Sequence, residues 1–188
     1  MLQTELLGTD IYHLLQWFLT YSILGWIVES IYMSICNREL TNRGFARGPL
    51  CPIYGVGALS VYFILKPFSD NYFALFLLGT TLATTLEFLT AKLMIKIFGE
   101  VWWDYNNKPF NYKGILCLES TIAWGVYTIA LFAFLHGFVS GIVDTYPYEI
   151  GSVVGLIVLF LFFIDFVTSF YKAKEDDIKG FIKQFKAT

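Results

Sequence analysis

Residues 150–171 read IGSVVGLIVLFLFFIDFVTSFY, a run whose only charge is Asp165. An α-helix rises about 1.5 Å per residue, so the segment spans roughly 33 Å, enough to cross a hydrocarbon core about 30 Å thick. A helix this apolar on every face suits lipid better than a water-exposed surface. Four more apolar segments lie upstream: from about Ile11 to Ile35, Cys51 to Leu65, Tyr72 to Phe98 and Ile115 to Phe138. The second is short and is closed by Pro67. The leader before Ile11 carries Glu5 and Asp10 and no Lys or Arg. It lacks the basic start of a cleaved signal, so the first segment reads as a retained helix.

Composition supports that frame. Of 188 residues, 56% are hydrophobic and 15% charged, against about 25% charged in a soluble domain. This excludes a disordered chain, a nucleic-acid binder and an ordinary soluble enzyme. It leaves no room for a soluble nucleotide-binding domain. The fold class is all-α: a polytopic transmembrane helical bundle of about five spans, with the lipid bilayer as its surroundings. Aromatics reach 19%, and Tyr and Trp favour bilayer interfaces. Three cysteines make no disulfide framework. All of the 13 basic residues except Lys66 fall in the first loop, around the third loop or in the tail. The positive-inside rule puts that side in the cytoplasm, so the expected protein is multi-pass, N-out and C-in, in the plasma membrane.

The two basic loops resemble each other. Asn42-Arg43-Gly44-Phe45-Ala46-Arg47-Gly48-Pro49-Leu50-Cys51 matches Asn107-Lys108-Pro109-Phe110-Asn111-Tyr112-Lys113-Gly114-Ile115-Leu116-Cys117. Both follow Asn, basic, Gly or Pro, Phe, a short spacer, basic, Gly, any, Leu, Cys. Each loop joins a helix carrying a glutamate, Glu29 or Glu87, to a helix beginning at the cysteine. The pattern predicts a two-helix unit occurring twice in parallel, in halves of about 11–65 and 72–138. An extra helix follows at 150–171. Together 1–171 form the membrane domain, and 172–188 form a basic tail. Ile178, Phe181, Ile182 and Phe185 recur at helical spacing in that tail between Lys179, Lys183 and Lys186. That pattern suits a helix lying on an anionic leaflet.

Four carboxylates fall inside the expected spans: Glu29, Glu87, Glu119 and Asp165. An acidic side chain at a helix centre costs on the order of 3 kcal/mol on insertion scales, so each must be protonated, paired or hydrated. All four sit in the basic half of the bundle. The nearest cations in sequence are Arg43, Arg47 and Lys113, and an arginine fork suits carboxylate pairing. Two readings follow: ion pairs that lock the bundle, or a cytoplasm-facing polar site for a solute, protons or cations. Thr80, Thr84, Glu87 and Ala91 share one helix face, which points to a polar interior. Gly151 and Gly155 form a small-residue pair suited to close helix packing, and that face leaves room for a homo-oligomer. The loop residues Val101-Trp102-Trp103-Asp104-Tyr105 suit an interfacial or re-entrant segment, with Asp104 a further candidate for the site.

No GxxxxGK[ST], HExxH, CxxC or GxSxG motif is present. No cofactor, metal or catalytic residue is therefore assigned. His13 and His136 lie toward the outer side, away from the carboxylates.

Several of these residues carry a family resemblance. Gly25-Trp26, Glu29, Arg43-Gly44-Phe45, Gly48-Pro49 and Cys51-Pro52-Ile53-Tyr54-Gly55 resemble the first half of the family called putative ABC-transporter type IV. Glu87, Trp102-Trp103-Asp104-Tyr105, Asn111, Gly114, Cys117-Leu118 and Trp124-Gly125 resemble its second half. The likeness runs from about Ile11 to Phe138. It implies a bacterial permease or permease subunit and leaves room for a separate cytoplasmic ATPase. Its motif residues carry over as Glu29, Arg43, Arg47, Glu87, Asp104 and Glu119; with Lys113 these form the expected substrate or ion site. A non-transporting scaffold or sensor and an intramembrane enzyme acting on a lipid stay open as alternatives.

Overall fold

A computed structural model describes the backbone of residues 2–42 and 44–186, and the side chains of that set up to residue 174. The side-chain pattern expected for the tail, from Ile178 to Lys186, and the candidate Arg43 lie outside the described residues.

Among the described residues the chain is all-α apart from a hairpin of two two-residue strands, Glu5–Leu6 with Thr9–Asp10. Leu7 and Gly8 close it, both at positive φ (58° and 79°), the backbone of a type I′ turn. The helices are α1 (Ile11–Asn37), α2 (Pro52–Leu65), α3 (Tyr72–Phe98), α4 (Leu118–Ala130), α5 (His136–Val143) and α6 (Tyr148–Lys186). A π-helical turn, Leu131–Leu135, makes α4 and α5 one continuous rod. Among the described residues four helices are long and apolar enough to cross a membrane: Ile11–Asn37, Tyr72–Phe98, Leu118–Val143 and Tyr148–Lys174. The helical stretch Pro52–Phe68 is shorter. Outward-facing Ile35, Leu93, Phe134, Phe160 and Phe163 are exposed, as expected of surfaces that meet lipid rather than water.

Caps set the boundaries. Asp10 accepts from the backbone N–H of His13 (2.8 Å) and starts α1. Asn71 does the same for Ala74 (3.0 Å) and starts α3. Gly99, at φ +80°, ends α3 in the left-handed conformation. The fourth span begins at Leu118, three residues later than the sequence pattern suggests, because Tyr112 N–H bonds the Leu116 carbonyl (2.9 Å) and keeps that stretch in the loop.

The most extensive packing joins α1 to α2 and α3 to α4, giving two helical hairpins. Helix α6 runs beside α1. Gly151 and Gly155 face Tyr12 and Gln16, and Gln16 Nε2 donates to the Gly151 carbonyl (2.8 Å). The small-residue face thus packs within the chain; it is not the open surface that the sequence left for a homo-oligomer.

Helix α2 begins deep. Its cap residue Cys51 donates its N–H to the Ser22 carbonyl (3.1 Å), and Ser22 stands about 15 residues, roughly 22 Å, before the end of α1. The loop between them therefore folds back along the last turns of α1. At the same end Phe45 packs on Phe98, Trp102 and Phe166 (ring centroids 4.8–5.2 Å), and Gly48 N–H bonds Asp165 Oδ2 (2.7 Å). At the opposite end His13 meets Asp144 (3.2 Å) and Tyr12 packs on Tyr148. Both basic loops thus share one end of the bundle, and the two hairpins run in the same direction.

Candidate functional site

Glu87 lies within α3, about 11 residues before its end, and only 5% of it is exposed. Its two oxygens are held from two sides. Oε1 accepts from the Tyr105 hydroxyl (3.1 Å), and Oε2 accepts from Trp124 Nε1 (2.9 Å). Trp124 comes from α4, where Gly125 lets that helix approach Phe76 and Thr80; a Cβ there would overlap both side chains. Tyr105 comes from the second basic loop. That loop is held by Trp103 Nε1 to the Ile115 carbonyl (2.9 Å) and by Tyr105 N–H to the Gly114 carbonyl (2.9 Å). Gly114 adopts φ +69° with the Asn106 amide packed against it, so both its backbone and its space call for glycine. The folded loop returns toward the bundle and delivers Tyr105 about 16 Å inside the end of α3. Non-helical backbone is tolerated at such depth when protein surrounds it. Burial, and then the charge of Glu87, push the Tyr105 hydroxyl above its ordinary pKa and keep it a donor.

The first hairpin repeats this arrangement. Glu29 Oε2 accepts from the Tyr54 hydroxyl (2.8 Å), and Gly55 lets α2 approach Phe18 and Ser22. Phe18, Ser22 and Glu29 have the same spacing as Phe76, Thr80 and Glu87. The second helix of each hairpin contributes an aromatic donor followed by glycine, Tyr54-Gly55 or Trp124-Gly125. The aromatic donor stands three residues after Cys51 in the first copy and seven after Cys117 in the second. That difference is about one helical turn. The loops align cysteine to cysteine, whereas the helix crossings align glycine to glycine.

The hairpins bring their donors together: the Tyr54 and Trp124 rings lie 6.2 Å apart. Beside them is a cavity of about 280 Å³ between α1, α2, α3 and α4. Glu87 supplies its acidic wall. Tyr21, Tyr54, Trp124 and Tyr127 supply aromatic walls, and aliphatic side chains supply most of the rest. Beyond Leu131 and Leu135, toward the other end, His136 accepts or donates at Nδ1 with the Tyr21 hydroxyl (2.9 Å) and stacks on Tyr62 (3.7 Å). Among the described residues Glu87 forms no ion pair, and no group of three or more His, Cys, Asp or Glu is arranged to hold a metal.

Of the other expected site residues, the described ones (Glu29, Arg47, Asp104, Lys113 and Glu119) are not part of this cavity's lining. Glu119 forms a salt bridge with Lys108 (2.8 Å), both in contact with solvent, and the bond holds the Lys108 ammonium above its usual pKa. The cation beside Glu119 is therefore Lys108. Lys113 extends its ammonium over the Tyr112 ring (5.6 Å). Asp104 is exposed and accepts from Asn106 N–H (2.8 Å), an Asx turn that shapes the loop. Arg47 is exposed, and its carbonyl accepts from Asn42 Nδ2 (2.9 Å). Sequence reasoning missed the donors Tyr54, Tyr105 and Trp124. Their signal was an aromatic residue before glycine, and a tyrosine in a loop rich in turn formers; neither reveals which carboxylate is the partner.

Among the comparisons with known proteins, a family model described as putative ABC-transporter type IV matches residues 16–170, from α1 into α6. No curated protein matches, and no solved structure matches.

Proposed function

The chain belongs to the putative ABC-transporter type IV family, and from that membership we propose that it is a multi-pass permease, or the permease subunit of a larger transporter, whose solute site is the cavity between the two hairpins. The observation that carries this reading is Glu87: a buried carboxylate within a membrane-length helix, bordering a cavity, with no cation beside it among the described residues. An acidic group in a membrane is costly, and a functional site is the first explanation to test. Parallel repeats place transporter sites at their interface, where one repeat can rock against the other. The basic end would face the cytoplasm. Energy would come from a separate cytoplasmic ATPase, because this chain carries no phosphate-binding loop of the GxxxxGK[ST] type.

The test is movement of a solute panel across native membrane vesicles that retain their cytoplasmic ATPases and are supplied with ATP, with wild type and Glu87→Gln compared at equal folded content. The expected result is at least one solute whose movement falls about ten-fold or more in Glu87→Gln. Solute movement that is identical in both proteins overturns the reading. One observation favours a second reading, a scaffold with a structural polar network: both Glu87 oxygens already have donors. On that reading no solute moves, and Glu87→Gln costs thermal stability alone.

A further inference from the structure

We infer that the cavity between the hairpins binds a small organic ammonium ion, with Glu87 as its counter-charge and Tyr21, Tyr54, Trp124 and Tyr127 as its aromatic walls. The inference rests on the permease reading for its purpose and on the geometry for its chemistry. A cavity of about 280 Å³ is at the lower edge of the range for drug-sized ligands, about 300–1,000 Å³. Its occupant is therefore small.

The walls exclude other classes of ligand. An anion would meet Glu87, and among the described residues the lining holds no Lys or Arg. A hard metal cation needs six or more oxygen ligands at close range, and among the described residues the lining provides one carboxylate among mainly apolar groups. A sugar or another polyhydroxy compound would leave most of its hydroxyls without partners against aliphatic and aromatic side chains. An alkylated ammonium ion fits what remains. Its charge is spread over methyl or methylene groups that tolerate apolar contact. It is attracted by aromatic rings, and it is attracted by a carboxylate without needing a further lone pair. That last point matters because Tyr105 and Trp124 already occupy one acceptor position on each Glu87 oxygen. The two hydrogen bonds hold the carboxylate in place, so ligand binding need not order it.

Binding is measured on the full-length protein in lipid nanodiscs by calorimetric titration. The probes are benzyltrimethylammonium and neopentylbenzene, its neutral isostere with carbon in place of nitrogen. The expected result is saturable binding of the ammonium, with the isostere about ten-fold weaker or more. Glu87→Gln should weaken the ammonium about ten-fold or more and leave the isostere nearly unchanged. Ala83→Leu narrows the cavity one turn from Glu87, leaves the hydrogen-bonding side chains intact, and should weaken both probes. Equal binding of the two probes, ammonium binding that survives both substitutions, or no saturable ammonium binding each overturns the assignment. If Glu87→Gln does not fold, the isostere and Ala83→Leu still decide the matter. The permease reading fails separately. Ammonium that binds but never crosses native vesicles that retain their ATPases and are supplied with ATP removes transport and keeps the site. Transport of neutral or anionic solutes with which ammonium does not compete removes the site and keeps transport.

Discussion

Trp124 can donate through its indole N–H and cannot accept there, so Oε2 of Glu87 must present a lone pair whatever the state of Oε1. Trp124→Phe keeps the ring and removes that donor. It should lower stability by about 1–3 kcal/mol, the cost of leaving a buried polar atom unsatisfied, read as a fall in thermal unfolding temperature in detergent. Tyr105 makes a pH-dependent contribution. Burial and the neighbouring Glu87 raise its pKa in the folded protein, so its proton stays on after an unfolded tyrosine, with a pKa of about 10, has lost one. The stabilisation is fully present below about pH 10 and declines as pH rises beyond it, because the unfolded state then binds fewer protons than the folded state. The unfolding temperature should fall above about pH 10, and less steeply in Tyr105→Phe. Equal slopes for the two proteins would remove Tyr105 as the source. At this scale the sequence located Glu29 and Glu87 by their cost in a span. It did not show their donors, because Tyr54, Tyr105 and Trp124 become partners only when helices cross and a loop folds back.

Each hairpin depends on a glycine at its crossing point. A Cβ on Gly55 would overlap Phe18 and Ser22, and one on Gly125 would overlap Phe76 and Thr80. Gly55→Ala and Gly125→Ala should each destabilise by about 1–3 kcal/mol through overpacking. Gly57→Ala, where a Cβ meets nothing within 4 Å, should be neutral or slightly stabilising, because alanine favours the helix by about 1 kcal/mol. Thermal unfolding of the three variants checks this contrast, and equal effects would argue against the crossing geometry. The repeat is imperfect where α6 intrudes. Phe45 of the first loop lies in an aromatic cluster with Phe166 of α6, whereas Phe110, its counterpart in the second loop, is 83% exposed. The loops match in sequence, but one helix covers only one of them.

The bundle sorts its charges by end. The end with both basic loops also carries Cys36, an exposed free thiol in the last turn of α1; Cys117 is buried. If that end faces the cytoplasm, a membrane-impermeant maleimide should label Cys36 in inside-out vesicles and spare it in intact cells. Labelling from the outside would reverse the orientation. A core containing Tyr12, Trp17, Val61, Leu65, Leu75 and Val139 lies toward the hairpin tips and the start of α1. The cavity borders this core at Val61, and Glu29, Glu87, Glu119 and Asp165 lie on the side of the basic loops.

The sequence by itself determined the membrane class, the helices of the bundle, the end that holds the positive charge and the two-fold recurrence of a loop between helices. These follow from local quantities: apolar length against bilayer thickness, and where charge can sit. The tertiary structure decided how the two copies are equivalent, since a one-turn offset between Cys117 and Gly125 is invisible to loop alignment. It also decided that Glu119 pairs with Lys108 at the surface and that Asp104 shapes a turn. It placed Glu87 at a cavity and gave it two donors. Those outcomes depend on which side chains meet across helices, and sequence spacing alone does not determine such contacts.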